Sequence, residues 1–221
     1  MMSASVIFDL VAAATGQTLV MVLFSTLFSV LLGLPLGVLL FTSDSASGIA
    51  PHPLLHQVLS HVVNMLRSFP FIILMIVLFP FSRLILHTSI GTKATIVPLS
   101  IAAAPFVARI IESALREVDA GVIQAARAAG STTWQLITKV LLPEALPALV
   151  DGITLTVINL IGYSAMAGAI GGGGLGDLAI RYGYQRFRTE MMVVAVVVII
   201  VLVECIQFVG TQISAHMMKR R

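Results

Sequence analysis

Charged side chains are scarce in this sequence: Asp, Glu, Lys and Arg make up only 10% of its 221 residues. A soluble domain typically carries about 25% charged residues. With 58% hydrophobic residues and a mean hydropathy of +1.03, the chain has too few charges to build a water-facing surface. The composition excludes a soluble globular enzyme, and its high hydrophobicity excludes a disordered chain.

Residues and motifs that carry chemistry are also few. The single cysteine, Cys205, allows no intramolecular disulfide and no cysteine-based metal site. The histidines show no paired metal-ligand spacing, because Pro53 interrupts the close pair His52 and His56. No phosphate-binding G-x-x-x-x-G-K-[ST] loop is found, and the glycine pattern within 171–176 follows an apolar helix rather than a strand. We predict no catalytic residue, metal site or cofactor site on this chain.

The chain is basic, with a net charge of +3 and a pI of about 9.4. Its thirteen Lys and Arg residues are scattered, except for the run Lys219–Arg221 after the last apolar segment. A basic cluster in that place is typical of a cytoplasmic flank under the positive-inside rule. The charge pattern therefore indicates a membrane protein with a cytoplasmic C-terminus and no nucleic-acid partner.

Long apolar runs are what the sequence has in abundance. The length of each run is close to the roughly 20 residues that a helix needs to cross a bilayer. The predicted fold class is an all-α integral membrane protein, a bundle of five transmembrane helices. Since five crossings put the termini on opposite sides, the N-terminus is expected outside and the segment 116–144 in the cytoplasm. The predicted spans are about 18–41, 58–79, 94–114, 146–170 and 191–210.

Several prolines fall inside these spans: Pro35, Pro70, Pro98 and Pro105. Each removes a backbone donor and can kink a helix. Ordinary packing in a helical bundle accounts for them, and so do helices that flex around a transport pathway.

The cytoplasmic segment 116–144 predicts two short helices between spans three and four. Asp119 is a suitable N-cap for the first helix, and Gly130 is well placed to end it. Thr132 and Gln135 form a capping-box pattern for the second, which Pro143 is expected to close.

Small residues line one face of the first short helix. Gly121, Ala125 and Ala129 recur at every fourth position, and a short helix with so bare a face has little reason to be stable alone. Docking of this face into a groove on a partner would explain it. The alternative is a connector that lies on the bundle or on the membrane surface.

The same segment resembles the EAA signature of binding-protein-dependent ABC importer permeases. The family pattern is Glu-Ala-Ala, three residues, Gly, nine residues and Ile-x-Leu-Pro. It corresponds here to 124–126, Gly130 and 140–143, with Gln124 in place of Glu and Val140 in place of Ile. The first departure removes a charge but keeps an amide able to form hydrogen bonds.

Further stretches are similar to the permease subunits of D-/L-methionine ABC importers, a resemblance that covers nearly the whole chain. It implies an importer transmembrane domain over 15–212 and a homodimer in the bacterial inner membrane. It also implies two cytoplasmic ATPase subunits, which hold ATP and Mg, and an extracytoplasmic methionine-binding protein. The stretches that carry it are 67–74, 104–109, 139–147, 162–168 and 171–176.

Because the chain has no nucleotide site, the resemblance assigns it a contact through which ATP binding on a partner moves the permease. We predict that contact between Asp119 and Gly130, with the following turn set by proline. The residues assigned to it are Asp119, Gly121, Gln124, Ala125, Ala126, Ala129, Gly130, Leu142 and Pro143.

Ionisable residues within the spans are costly in a bilayer, so each calls for a partner or a function. Glu112 lies three residues after Arg109 and four before Arg116, and both pairs are expected to form. Arg67 either pairs with Glu204 or faces the transport pathway, and the sequence leaves this open.

The predicted pathway runs along span four, which the resemblance places beside a central cavity. Its polar and polarisable side chains suit a gate or a contact with a thioether substrate, although packing explains Met166 equally well. The residues assigned to the pathway or gate are Arg67, Asn159, Tyr163, Ser164 and Met166.

The function predicted from these observations is import of D- and L-methionine by alternating access. One alternative is a permease for another small amino acid or related solute. A second is an ion-coupled secondary transporter that uses Glu204 or Asp151 as a proton relay, although five spans do not divide into equal inverted repeats. A third is a membrane scaffold without transport activity, which leaves the small-residue helix face unexplained.

Overall fold

The computed structural model describes residues 3–88 and 90–219, and all regular secondary structure within these ranges is helical. The predicted all-α fold is therefore confirmed. Of the predicted basic tail, Arg220 and Arg221 lie outside the described residues.

The helices are named here in chain order. A π-helical segment at Ile137–Leu141 joins α6 to α7, and a second one at Ala179–Tyr184 follows α8. The helices are α1 (Ala4–Ser43), α2 (Pro53–Ser68), α3 (Phe71–Leu86), α4 (Thr92–Arg116), α5 (Ala120–Ala128), α6 (Thr133–Leu136), α7 (Leu142–Gly168), α8 (Gly174–Leu178) and α9 (Thr189–Met218).

Within residues 3–88 and 90–219, four helical stretches are long and apolar enough to cross a bilayer: α1, α4, the run Thr133–Gly168 and α9. The number reaches five when α2 and α3 together count as one broken span. The predicted number of five spans corresponds to this upper count.

The predicted second span, 58–79, is wrong as a single continuous helix. The helix α2 ends at Ser68, α3 begins at Phe71, and the two axes differ by 106°. Pro70 sits at the break with φ −57° and ψ 123°, and it precedes the first residue of α3. Proline has no N–H and disfavours a helical conformation at Phe69, the residue before it. Hydropathy alone does not detect such a break.

The prediction that Pro143 closes the second short helix is also wrong. Helical backbone continues from Thr133 to Gly168 through the π-helical segment, so the fourth span starts well before the predicted position 146. In the π-helical segment the N–H of Leu142 donates to the carbonyl of Ile137, five residues earlier. The wider π-turn just before Pro143 accommodates the bulk of the proline ring and its lack of an N–H donor, so the helix does not end there.

The chain divides into two compact units, and the long helices α1, α4, α7 and α9 contribute residues to both. Unit 1 comprises the described residues of Met1–Ser29, Phe69–Ala103 and Thr156–Phe208. Its fully buried large side chains are apolar: Met21, Met75, Leu99, Leu160, Ile161 and Leu175.

Unit 2 comprises the described residues of Val30–Ser68, Ala104–Leu155 and Val209–Arg221. Small residues let its helices approach closely: a Cβ at Gly37 would lie 2.6 Å from the carbonyl oxygen of Ala108. Its largest apolar cluster is formed by Phe41, Val107, Ile111, Ala114, Leu115, Leu141, Ala145 and Leu149.

Candidate functional site

The helix α5 begins at the predicted cap. Asp119 accepts hydrogen bonds through Oδ1 from the backbone N–H groups of Gly121, at 2.7 Å, and Val122, at 3.3 Å. These bonds satisfy two of the donors that a helix leaves free at its N-terminus, and the carboxylate charge complements the helix dipole. The predicted N-cap is confirmed, and it makes α5 a defined helix of nine residues.

The end of α5 is equally defined. Gly130 has a φ of 81°, which a glycine adopts without strain, and its N–H donates to the carbonyl of Arg127. The N–H of Ser131 then donates to the carbonyl of Ala126. This pair of bonds is a Schellman motif, so the prediction that Gly130 ends the helix is confirmed.

The next helix starts with the predicted capping box. The N–H of Gln135 donates to the Thr132 hydroxyl at 3.3 Å, and the N–H of Thr132 donates to Oε1 of Gln135 at 2.9 Å. A helix stop and a helix start thus follow each other within three residues, and both ends of this turn are held by hydrogen bonds.

The small-residue face of α5 is open. Gly121, Ala125 and Ala129 are exposed, and so is Gln124. No residue of α5 is buried within the described chain. A Cβ added at Gly121 would approach only the side chain of Asp119 among other residues. The face has the shape expected of a helix that seats in a groove.

The residues that follow α6 pack unevenly. Leu141 is fully buried and Leu142 is half-buried, whereas Pro143 is exposed. Trp134, on α6, is 72% exposed.

At the end of α4, both predicted ion pairs form. Glu112 is 4% exposed, and each of its carboxylate oxygens accepts from a different arginine. Arg109 donates from Nη1 to Oε2 at 2.7 Å, and Arg116 donates from Nη2 to Oε1 at 2.8 Å. A buried carboxylate needs such partners, because an unpaired charge in an apolar interior is costly.

Sequence reasoning missed a second carboxylate in this cluster. Asp44, just beyond α1, accepts from Nη1 of Arg116 at 2.8 Å and from the Ser47 hydroxyl at 2.6 Å. The Ser47 bond lowers the pKa of Asp44 most, burial opposes it, and the Ala46 N–H and the Arg116 guanidinium lower it further, to about 2. The signal available in the sequence was a lone acid in the polar stretch 42–48.

Arg109 also joins α4 to α2. Its Nη2 donates to the carbonyl oxygen and the hydroxyl of Ser60 and, at 3.0 Å, to Oδ1 of Asn64. The polar residues at the end of α4 therefore form a chain of bonds that reaches both α2 and the loop after α1.

The residues predicted for the pathway fall in both units. Arg67, in unit 2, is exposed and its Cζ lies 6.0 Å from the ring centroid of Phe106. In unit 1, Tyr163 stacks on Phe71 with ring centroids 4.0 Å apart and an angle of 9° between the rings.

The other predicted pathway residues lie on α7 in unit 1. Asn159 is half-buried, and Met166 is 50% exposed. Ser164 is buried, and its hydroxyl donates to the carbonyl of Ile161 in its own helix at 2.7 Å. A polar side chain satisfied by its own helix offers less to a substrate than an open one.

The glycine-rich stretch 171–176 leads from α7 into α8 and allows close approach of its backbone to neighbouring groups. Gly171, Gly173 and Gly174 have positive φ values. The N–H of Gly174 donates to Oε1 of Gln17 at 2.8 Å, and the N–H of Leu175 donates to the Thr18 hydroxyl at 2.9 Å.

The two α1 side chains thus satisfy free N–H groups at the start of α8. Neither residue was assigned a role from the sequence. A polar pair, Gln17 and Thr18, at the edge of a long apolar run is the signal that could have found them.

A family model described as the binding-protein-dependent transport system inner membrane component matches residues 33–219. The chain belongs to this family. It is therefore the permease component of an ABC transport system, and its helices span the inner membrane.

Two relatives match this permease over more than nine-tenths of its length. It is 52% identical over 202 residues to the probable D-methionine transport system permease protein MetI of Vibrio cholerae, covering 91% of this chain and 89% of that protein. It is 47% identical over 208 residues to the corresponding protein of Pasteurella multocida, covering 94% and 95%.

Solved structures agree with the fold. A chain of the MetNI methionine ABC transporter in inward-facing conformations matches the permease with a TM-score of 0.94 and 45% identity, covering 98% of this chain and 99% of that one. An amino acid ABC transporter solved with histidines matches at a TM-score of 0.71 and 20% identity, which supports the fold alone.

Proposed function

We propose that this permease carries methionine, in both the D and the L form, into the cytoplasm by alternating access. The observation that carries the proposal is the open small-residue face of α5, on a helix whose two ends are capped. The names of the two relatives described above support the substrate. The two alternatives, another small amino acid and ion-coupled uptake, are distinguished by the experiment below.

The helix α5 is proposed to be the contact through which ATP binding on a partner ATPase drives movement of the permease. Two copies of a separate ATPase, which bind ATP and Mg, would each receive one α5 in a groove. The closure of the ATPases on ATP would then move the helices α4 and α7 that flank the segment. The proposed contact comprises Asp119, Gly121, Gln124, Ala125, Ala126, Ala129 and Gly130, with Leu142 and Pro143 shaping the chain that follows.

The pathway is proposed to run along the α7 side chains Asn159, Tyr163, Ser164 and Met166, with Arg67 contributing from the end of α2. Met166 is half-exposed and has a flexible thioether, which suits contact with another thioether. Arg67 is a cation that could attract a carboxylate.

The functional assembly is proposed to be a homodimer of this chain with two ATPases and an extracytoplasmic methionine-binding protein. The importer domain is proposed to span 15–212, with the N-terminus outside and the C-terminus in the cytoplasm. Contacts of Gln17 and Thr18 with the glycine-rich stretch support including the first part of α1 in this domain.

Native mass spectrometry of the tagged permease, gently extracted from its own membranes, tests the assembly. We expect two copies of this chain with two copies of an ATPase subunit. A permease found without any ATPase, under conditions that preserve a control importer, would overturn the proposal.

Uptake of methionine by proteoliposomes of the complex, with ATP in the lumen on the side of the ATPases and the binding protein outside, tests the substrate and the energy source. We expect ATP-dependent transport of radiolabelled methionine, and we expect an excess of either unlabelled D-methionine or unlabelled L-methionine to inhibit it. Uptake driven by a proton gradient without ATP would favour the ion-coupled alternative, and Glu204→Gln and Asp151→Asn would then test the proton relay. Preference for a different amino acid would overturn the substrate alone.

A further inference from the structure

Residues 44–52, between α1 and α2, form a short ordered loop that we call the anchor loop. Its backbone is hydrogen-bonded to the end of α1: the N–H of Ala50 donates to the carbonyl of Thr42 at 3.0 Å, and that of His52 to Ser43 at 2.9 Å. A Cβ at Gly48 would lie 2.3 Å from the carbonyl oxygen of Asp44. The loop therefore folds as a rigid extension of α1 rather than as a loose linker.

The helix α5 bonds to this loop through Arg127. Its Nη2 donates to the carbonyl oxygen of Ile49 at 2.7 Å. This bond joins a charged donor to a main-chain acceptor, and the position of that acceptor is fixed by the backbone of the loop.

Arg127 lies on the side of α5 opposite the small-residue face. Two residues along an α-helix turn the direction by about 200°, so Ile123 and Arg127 point away from Ala125 and Gly121. Ile123 packs against the apolar cluster of unit 2, and Ile49 packs against the same cluster. One face of α5 is thus held to the permease while the other stays open.

The end of α4 bonds to the same loop. Arg116 donates to Asp44 and to the Ser47 hydroxyl, each at 2.8 Å. The anchor loop therefore receives one arginine from α4 and one from α5, although these helices are joined to each other by only a short turn.

We propose that Arg127 is a positioning residue for energy coupling: by holding α5 to the anchor loop, it makes α5, the end of α4 and the end of α1 move as one body. The proposal rests on the function proposed above, in which α5 meets an ATPase. Without the bond, the turns on either side of α5 would bend when α5 moves, and the movement would not be transmitted to α4 and α1. ATP hydrolysis would then continue while less substrate crosses the membrane.

The variant Arg127→Gln tests this in the assembled complex in proteoliposomes with the binding protein. The measured quantity is methionine transported per ATP hydrolysed. We expect the ratio to fall about five- to tenfold, the order of effect of losing one charged hydrogen bond, with partial recovery in Arg127→Lys. The matched control is Lys139→Gln, an exposed cation of the same segment, for which the ratio stays at the wild-type value.

A merely structural role would lower the yield or thermal stability of the complex and leave the ratio unchanged, which would overturn the proposal. An unchanged ratio in a stable Arg127→Gln complex would overturn it equally. Failure of the proposed function is a separate result: the wild-type permease would then purify without an ATPase or show no ATP-dependent uptake.

Discussion

Arg116, the last residue of α4, donates from Nη1 to Oδ2 of Asp44, the first residue after α1, at 2.8 Å. The same guanidinium binds Glu112 through its other terminal nitrogen. The Arg116 side chain therefore binds an acid in its own helix and also holds the loop after α1, which is distant in sequence.

The first prediction concerns the pH dependence of this contact. Because the pKa of Asp44 is lowered to about 2 in the folded protein, its stabilising contribution is complete above the unfolded pKa of about 3.9 and is lost as the pH falls toward 2. Asp44→Asn should lower the melting temperature in detergent at neutral pH, and the difference from wild type should shrink below about pH 4. A difference that is independent of pH would contradict this, and Asp177→Asn serves as a control for an acid paired elsewhere.

The second prediction tests the open face of α5. Gly121→Trp should leave folding intact, because Gly121 is exposed and a Cβ there approaches only the side chain of Asp119 among the atoms beyond its chain neighbours and its own helix backbone, yet it should prevent α5 from seating in its groove. We expect normal yield and melting temperature with at least a tenfold loss of ATP-driven uptake, the scale of about 1.4 kcal/mol or more of lost binding. Gly121→Ala is the matched small variant and should retain most activity. Normal uptake by Gly121→Trp would count against docking through this face.

The third prediction concerns the two bonds from α1 to the start of α8. Removing both acceptors with Gln17→Leu and Thr18→Val should destabilise the permease by about 1–3 kcal/mol for each of the two N–H groups that lose a partner. Hydrogen exchange at the amides of Gly174 and Leu175 should accelerate. Thr15→Val is the control, since the Thr15 hydroxyl bonds only to the carbonyl of Val11 in its own helix; equal exchange in all variants would refute the assignment.

The fourth prediction compares two glycines near the same end of α7. A Cβ at Gly176 would lie 2.2 Å from the backbone oxygen of Ala165, whereas a Cβ at Gly162 would meet nothing within 4 Å. Gly176→Ala should therefore sharply reduce the folded yield, and Gly162→Ala should be tolerated or slightly stabilising. The measurement is the size-exclusion profile of each variant in detergent. Similar profiles for the two variants would contradict the prediction, because they would show that the backbone around Gly176 can shift to make room for a Cβ.

Features set by neighbours in sequence were predictable. The Asp119 cap, the Gly130 stop and the Thr132–Gln135 capping box each involve partners within a few residues, so residue type and spacing suffice. The pairs of Glu112 with Arg109 and Arg116 were predictable for the same reason, because one helix turn separates the partners.

Breaks in helices were predicted less well. Pro70 and Pro143 are both prolines that could end a helix, but their outcomes differ. The chain bends by 106° at Pro70 and continues as a helix past Pro143. The π-helical segment before Pro143 is what separates the two outcomes, and a π-turn has no residue pattern by which to predict it.

A helical membrane protein with a capped helix and a small-residue face could be predicted from the amino-acid sequence, because composition, hydropathy and local caps are properties of short stretches of chain. The exposure of that face, and the distant groups that meet, depend on how the helices pack: Asp44 meets Arg116, Gln17 meets Gly174, and Ile49 meets Arg127. Each of these contacts joins segments that are far apart along the chain. They form because helix packing satisfies buried polar groups wherever a partner comes within reach.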